Sequence, residues 1–297
     1  MLEPSGVAAM SGRPLVQRRA IITGAARGLG RAFAIGLAEA GADVAVCDVD
    51  PAVEELRREL EGHGVRALAQ VADVAKPDDV VAFVERAAEQ LAGLDLVVNN
   101  AGVIRLTAPA TDSWEQAVDD FHFMVDVNLG GTYLVGRAAI PHLIKNGGDI
   151  VNITTDHIHT CGYPIDVDHA DSGACEWATV RRPPIGGPGF DVYDASKWGV
   201  KGLTLVWSRA LSSHGIRVNS IGVGPTNTPM YRSHLGDKAP PPTMMEPEQI
   251  AAVLVDLVAE GPSGRTGDSV ELWAGHPCVL SPVGLDGRLA RNVKPAF

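Results

Sequence analysis

Cysteine is scarce in this sequence, and both long hydrophobic runs and a secretion signal are missing. The chain has four cysteines and no C-x-x-C pair, which argues against a disulfide framework and predicts a reducing, cytoplasmic location. No apolar run reaches the ~18 residues that a membrane span needs. Residues 1–19 lack the apolar core of a signal peptide and mix proline, glycine, serine and arginine. We expect them to form a flexible N-terminal arm.

Basic residues are also outnumbered. The chain has 25 lysines and arginines against 36 aspartates and glutamates, which gives a formal net charge of -11. A surface of this sign repels the phosphates of nucleic acids and anionic membranes. We therefore expect no nucleic-acid partner and no membrane partner.

Short apolar strands alternate with helical segments from residue 20 onward. The strand Ala20–Thr23 leads into a glycine-rich turn and a helix, and a second strand follows at Asp43–Asp48. This strand–helix–strand order is typical of a parallel sheet, and it continues to a last strand near residue 270. The sequence predicts one α/β domain over 20–297, a Rossmann-type doubly wound parallel sheet of about seven strands flanked by helices.

Two long stretches interrupt this alternation. Residues 156–190 are rich in Asp, His, Pro and Gly, and residues 226–246 contain a run of three prolines. Long irregular segments inside a compact domain usually carry function. We expect an inserted lid at 156–190 and a substrate loop at 226–246.

The glycine-rich turn predicts a dinucleotide site. Gly24, Gly28 and Gly30 follow the first strand in a G-x-x-x-G-x-G spacing. Glycines let the backbone approach a pyrophosphate, and the helix that follows offers free N–H groups. Asp48 ends the second strand, where a carboxylate can accept both ribose hydroxyls and repel a 2′-phosphate. Since Val49 adds no basic group there, the sequence favours NAD over NADP.

A tyrosine and a lysine stand four residues apart in a segment that reads as helix. Tyr193 and Lys197 therefore lie one turn apart on the same face. An ammonium group in this position favours the phenolate and is expected to lower the tyrosine pKa. Such a tyrosine could donate and accept a proton near neutral pH.

With these motifs in order, the sequence resembles the short-chain dehydrogenase/reductase family over about residues 20–275. Further landmarks are Asp73-Val74, Asn99-Asn100-Ala101-Gly102 and Asn128. The resemblance implies reversible hydride transfer between NAD and a secondary alcohol or ketone. The expected catalytic residues are Tyr193, Lys197, Thr155 and Asn128. The expected cofactor contacts are Gly24, Arg27, Gly28, Leu29, Gly30, Asp48, Asp73, Val74, Asn100, Ala101, Gly102, Tyr193, Lys197, Thr226 and Thr228.

Two departures from the family pattern lie beside the expected substrate. Thr155 occupies the place of the family's catalytic serine; it keeps a hydroxyl but adds a methyl group. The interval from Thr155 to Tyr193 is also much longer than in the family, and residues 156–190 fill it. By resemblance, Asn128 is expected to hold a water that leads from Lys197 to solvent.

The inserted segment invites several interpretations. It holds three histidines and two cysteines, but their spacing matches no closed zinc site, and we expect no metal. The alternatives are a polar lid held by hydrogen bonds, or a lid whose Asp156, His157 or His159 contacts a polar substrate. We expect this lid to set the choice of substrate.

Two other functions stay open for the chain. The first is a reductase of 3-oxoacyl thioesters, although such relatives usually prefer NADP. The second is a non-catalytic NAD-binding sensor, which only the threonine at position 155 suggests. By resemblance, we expect a homodimer or homotetramer.

Overall fold

The structure is a computed structural model, which describes residues 12–156, 189–235, 239–240, 244–272 and 278–280. Seven parallel strands form one sheet in the order β3-β2-β1-β4-β5-β6-β7. Their bounds are β1 Arg19–Thr23, β2 Asp43–Asp48, β3 Ala67–Val71, β4 Leu96–Asn99, β5 Gly148–Thr155, β6 Ile216–Val223 and β7 Ser269–Leu272. The predicted doubly wound sheet is confirmed.

Helices cover both faces of this sheet. In the described part of the chain they are α1 Gly28–Glu39, α2 Val53–Gly62, α3 Pro77–Gln90, α4 Trp114–Val125, α5 Thr132–Leu143, α6 Asp191–Ala210, α7 Pro229–Leu235 and α8 Pro247–Ala259. A π-helical turn, Asp126–Gly131, joins α4 to α5. A short 3-10 turn, Ser212–His214, follows α6.

Two apolar clusters lie between the sheet and its helices, one on each face. One joins α1, α2 and α8 to one face, with Phe33 and Leu254 fully buried. The other joins α3, α5 and α6 to the opposite face around Phe83 and Trp207. The central strands are therefore apolar on both faces, as parallel strands between two helical layers must be.

Part of the expected N-terminal arm packs against the domain. Leu15 is 2% exposed, and its amide donates to the Ala40 carbonyl at 2.8 Å. Arg13 donates to the carbonyls of Ala38 and His63. The expectation of a flexible arm therefore differs from the structure over residues 13–18, because these contacts bridge distant parts of the chain. Residues 1–11 lie outside the described residues.

The expected substrate loop contains a helix. Within 226–246, α7 begins at Pro229, and the amide of Tyr231 donates to the Thr228 hydroxyl at 3.3 Å. A hydroxyl residue followed by proline is a common start of a helix. This sequence explains why part of the segment is helical, whereas an irregular loop was expected. Of the expected lid, only Asp156, Gly189 and Phe190 are described; 157–188 lies outside the described residues.

A buried ion-pair network closes the amino end of the sheet. Asp149 is 3% exposed and pairs with both Arg18 and Arg217, the latter at 2.6 Å. Arg18 also pairs with Asp95 at 3.0 Å, and Arg217 also lies 3.5 Å from Glu260, so removal of Asp149 takes away one of two carboxylates at each arginine.

Replacing Asp149 with alanine is expected to lower the free energy of unfolding by about 1–3 kcal/mol, because Arg18 and Arg217 lose their shared carboxylate and keep only Asp95 and Glu260 as carboxylate partners. Urea unfolding followed by circular dichroism would measure this. Glu61→Ala is the control, since its pair with Arg57 is exposed and i,i+4 on α2; its unfolding midpoint should stay near wild type. Equal midpoints for both variants would contradict this assignment.

Candidate active site

The expected site residues gather at the carboxyl ends of β1, β4, β5 and β6. Strand order reverses between β1 and β4, so a crevice opens there. This is the place where open parallel sheets bind ligands.

The turn after β1 leaves no room for side chains. Gly24 has a φ of +68°, and a Cβ there would lie 2.8 Å from the Cα of Ala101. At Gly30 a Cβ would lie 2.1 Å from the carbonyl oxygen of Gly24. The turn therefore needs glycine at both positions, and it places the start of α1 directly at the crevice.

Thr23 and Asn100 connect this turn to the segment after β4. The Thr23 hydroxyl accepts from the amides of Asn100 and Ala101, at 3.2 and 3.0 Å. The Asn100 side chain donates to the carbonyls of Thr23 and Gly24. The two expected cofactor segments are thus one unit. Thr23 was not among the predicted site residues, although its place directly before the first glycine was the available signal.

Asp48 also supports the turn. One carboxylate oxygen accepts from the Ala26 amide at 2.9 Å and the other from the Asp50 amide at 3.0 Å. Arg27 lies at the same end with its side chain 71% exposed and 4.0 Å from Asp50. This end of the crevice therefore holds both a carboxylate and an exposed guanidinium group.

The Asp73-Val74 pair follows β3. Asp73 accepts from the amide of Ala75 at 3.0 Å, so its carboxylate closes its own turn. Val74 is buried, and its side chain fills the space beside Gly131, where a Cβ would come within 2.6 Å. The pair lies against the π-helical turn that carries Asn128.

Asn128 is fully buried and joins three elements. Its carbonyl oxygen accepts from the Val103 amide at 2.8 Å, and its NH₂ group donates to the Val103 carbonyl and the Ser196 hydroxyl, each at 3.0 Å. Its main-chain carbonyl accepts from Thr132 at 2.7 Å. The side chain therefore positions the segment after β4 against α6, while its expected role with a water stays a prediction.

Thr155, Tyr193 and Lys197 meet at the end of β5, and all three are buried. The Thr155 hydroxyl forms a hydrogen bond with the Tyr193 phenol. Lys197 Nζ donates to the Ile153 carbonyl at 3.0 Å and lies 5.8 Å from the centre of the Tyr193 ring. A Cβ on Gly102 would lie 3.4 Å from the same Nζ, so the segment after β4 borders this group.

Burial dominates the protonation of this cluster. It raises the pKa of Tyr193 well above its ordinary value, and the charges of Asp156 and Asp194 raise it further, while the hydrogen bond with Thr155 lowers it. Burial also lowers the pKa of Lys197 from 10.5 to about 8. The pKa of Tyr193 therefore departs from the expected lowering, because desolvation of the phenolate is the largest effect on it.

The segment after β6 approaches the glycine turn. A Cβ on Gly28 would lie 3.5 Å from the Thr228 side chain, so Thr228 sits over the start of α1. The Thr226 hydroxyl donates to the Gly224 carbonyl at 2.9 Å. Both threonines are therefore at the crevice, as the sequence predicts.

Asp156 lies directly beside Thr155. It is 7% exposed, and the Thr155 hydroxyl donates to its carboxylate at 3.3 Å. His157 and His159 lie outside the described residues. Over the described residues, no group of three or more His, Cys, Asp or Glu side chains could hold a metal ion.

Three further residues border the site and were not predicted from the sequence. The Phe190 ring lies 6.3 Å from that of Tyr193. Thr107 pairs with Gly189 in a two-way main-chain bridge, and its hydroxyl donates to Asp191. This bridge anchors the beginning of α6 to the segment after β4. No local motif marks it, because its partners are distant in sequence.

Comparison with known proteins agrees with this geometry. A family model described as short chain dehydrogenase matches residues 18–160, and one described as enoyl-(acyl carrier protein) reductase matches residues 179–275. Oxidoreductase UcpA of Escherichia coli is 31% identical over 87% of this chain and 85% of its own length. The chain belongs to the short-chain dehydrogenase/reductase family.

Other relatives match nearly their whole length. The cis-4-hydroxycyclohexanecarboxylate dehydrogenase of Sinomonas cyclohexanicum is 30% identical over 90% of this chain and 100% of its own. A short-chain dehydrogenase from Burkholderia cenocepacia, solved in complex with NADP, is 30% identical, with a TM-score of 0.69, 88% of this chain covered and 98% of its own. A dehydrogenase/reductase of this family therefore carries a nicotinamide cofactor in a closely similar fold.

Within the described ranges, no helix combines the length and apolar character of a membrane span.

The lowered pKa of Lys197 predicts a rise in stability with pH. Between about pH 8 and 10.5 the unfolded chain keeps the lysine proton that the folded chain has lost. The free energy of unfolding should therefore increase across this window by up to about 1.4 kcal/mol per pH unit, and the gain should vanish as pH falls through 8.

Lys197→Met is the comparison protein, since it lacks this proton. Urea unfolding at several pH values should show that the free energy of unfolding of wild type, relative to that of Lys197→Met, increases from pH 8 to 10. The buried Cys47 thiol, whose pKa burial raises, acts in the opposite direction but in both proteins alike. A pH-independent difference would refute the assignment.

Proposed function

We propose that this family member is an NAD-dependent oxidoreductase that interconverts a secondary alcohol and a ketone. The observation that carries the proposal is the hydrogen bond between Thr155 and Tyr193, with Lys197 beside it, at the crevice that the glycine turn borders. A binding protein has no need of this buried proton-transfer group.

The chain's residues fit a nicotinamide dinucleotide. Glycines at positions 24 and 30 let the turn pack closely on the segment after β4, and α1 starts at the crevice beside it. Gly24, Arg27, Gly28, Leu29, Gly30, Asp48, Asp73, Val74, Asn100, Ala101, Gly102, Tyr193, Lys197, Thr226 and Thr228 are the proposed contacts. When bound, the cofactor accepts or supplies the hydride.

Tyr193 is the proposed general acid and base. In reduction the phenol gives its proton to the carbonyl oxygen of the substrate and becomes a phenolate; in oxidation the phenolate takes the hydroxyl proton of the substrate. Thr155 orients the substrate oxygen through the hydroxyl that bonds to Tyr193. Lys197 places a cation next to the phenol, which compensates part of the cost of burying a phenolate. Asn128 holds the surrounding segments in register.

Exposed apolar residues support a proposed homodimer or homotetramer. Trp114 on α4 and Trp198 and Val206 on α6 are 78%, 55% and 62% exposed. These helices pack against each other, so their outer faces form one apolar surface. We place the enzyme in the cytoplasm on its cysteine usage alone.

Absorbance of NADH across a set of secondary alcohols tests the proposed activity. Wild type should reduce NAD, and Tyr193→Phe should lower kcat/KM by about 10³-fold or more, because the proton acceptor is gone. The variant should still bind NADH, as its fluorescence would show. Tyr133→Phe, at an exposed tyrosine of α5, is the control and should match wild type. Near-wild-type rates in Tyr193→Phe, or tight NADH binding with no turnover of any alcohol, would contradict the proposal.

Asp48→Asn tests the proposed preference for NAD. The amide keeps an oxygen for the Ala26 amide and removes the charge that would repel a 2′-phosphate. The ratio of kcat/KM with NAD to that with NADP should fall by about tenfold or more. Asp50→Asn is the control, because Asp50 lies two residues on and pairs only loosely with Arg27. A wild-type preference for NADP, or an unchanged ratio in Asp48→Asn, would refute the role of Asp48.

A further inference from the structure

The residue after Thr155 places a carboxylate at the reacting end of the site. Asp156 follows the last residue of β5 and is 7% exposed. The Thr155 hydroxyl donates to its Oδ1 at 3.3 Å and also bonds to Tyr193. The substrate oxygen must reach Thr155 and Tyr193, so the carbon next to the reacting one comes within reach of this carboxylate.

The charge of Asp156 acts on two different elements. After burial, it contributes to the raised pKa of Tyr193 on α6 and to that of Tyr231 on α7. Its charge therefore acts on both α6 and α7. The contact with Thr155 at 3.3 Å is the geometric observation that puts this carboxylate beside the expected substrate oxygen.

Two carboxylates act on the reacting group. Asp156 and Asp194 both act on Tyr193 in the same direction. The ammonium of Lys197 is 5.8 Å from the ring centre and donates to a carbonyl. A carboxylate or phosphate next to the reacting carbon would be repelled, whereas a hydroxyl or ammonium would be attracted.

We propose that Asp156 is a substrate-specificity residue, which accepts a hydrogen bond from a hydroxyl or ammonium on the carbon next to the reacting one. It thereby selects neutral polyhydroxy alcohols and amino alcohols over hydroxy acids. This inference rests on the proposed alcohol oxidation for its chemistry. Its claim about ligand charge is tested separately by binding affinity.

Four small alcohols differ only in the group next to the carbinol: isopropanol, propylene glycol, isopropanolamine and lactate. For each alcohol, kcat/KM is measured by NADH formation. The Kd with which each alcohol binds to the protein–NADH complex is measured by quenching of NADH fluorescence. Wild type should favour isopropanolamine and propylene glycol over lactate by about tenfold or more in both readouts.

Asp156→Asn and Asp156→Ala should each reduce the ratio of isopropanolamine to lactate affinity by about tenfold, and NADH binding shows that each variant is folded. Asp194→Asn is the matched control. It removes the other charge that acts on Tyr193 but leaves the Thr155 contact, so its ratio should stay within about threefold of wild type.

Equal ratios in wild type and in both Asp156 variants would overturn the proposal, as would a wild-type preference for lactate. Binding and turnover separate the two claims. If no alcohol is oxidised but the affinity ratio depends on Asp156, alcohol oxidation fails and the specificity role stands. If alcohols are oxidised but the ratios are the same with and without Asp156, alcohol oxidation stands and the specificity role fails.

Discussion

The buried amide of Asn128 is the contact on which the geometry of the site depends. It bonds to both main-chain groups of Val103 and to Ser196, so one side chain fixes the segment after β4 against the catalytic helix. The π-helical turn between α4 and α5 brings it there. A buried amide with unsatisfied groups is costly, and this arrangement is therefore held in one register. The positions of Gly102 and Lys197 follow from it.

Burial and charge compete at the reacting groups. Burial opposes ionisation of both Tyr193 and Lys197, and the nearby carboxylates add to the effect on the tyrosine. The hydrogen bond with Thr155 acts in the opposite direction. Despite its added methyl group, Thr155 keeps its hydroxyl in contact with the Tyr193 phenol. Threonine at the family's serine position therefore retains this hydrogen bond. The proposed proton transfer thus depends on the contact between Thr155 and Tyr193 as well as on the ammonium of Lys197.

Local patterns were sufficient to predict most of this fold. Glycine spacing and strand–helix alternation predicted the sheet and the turn after β1, because backbone sterics and apolar periodicity depend on residues that are close in sequence. Long-range contacts were not predictable in this way. The packing of Leu15, the bridge from Thr107 to Gly189 and the fixed amide of Asn128 each join distant segments. The direction of the Tyr193 pKa shift also depends on the folded environment, since desolvation by burial is its largest cause.

Transfer of deuterium tests the central claim most directly. Secondary alcohols deuterated at the carbinol carbon would be incubated with the enzyme and NAD, and the NADH recovered would be analysed by mass spectrometry. The account predicts NADH that carries deuterium with wild type, and formation of labelled NADH about 10³-fold slower with Tyr193→Phe. Reduced cofactor without deuterium, or labelled NADH from the phenylalanine variant at the wild-type rate, would contradict direct hydride transfer assisted by Tyr193.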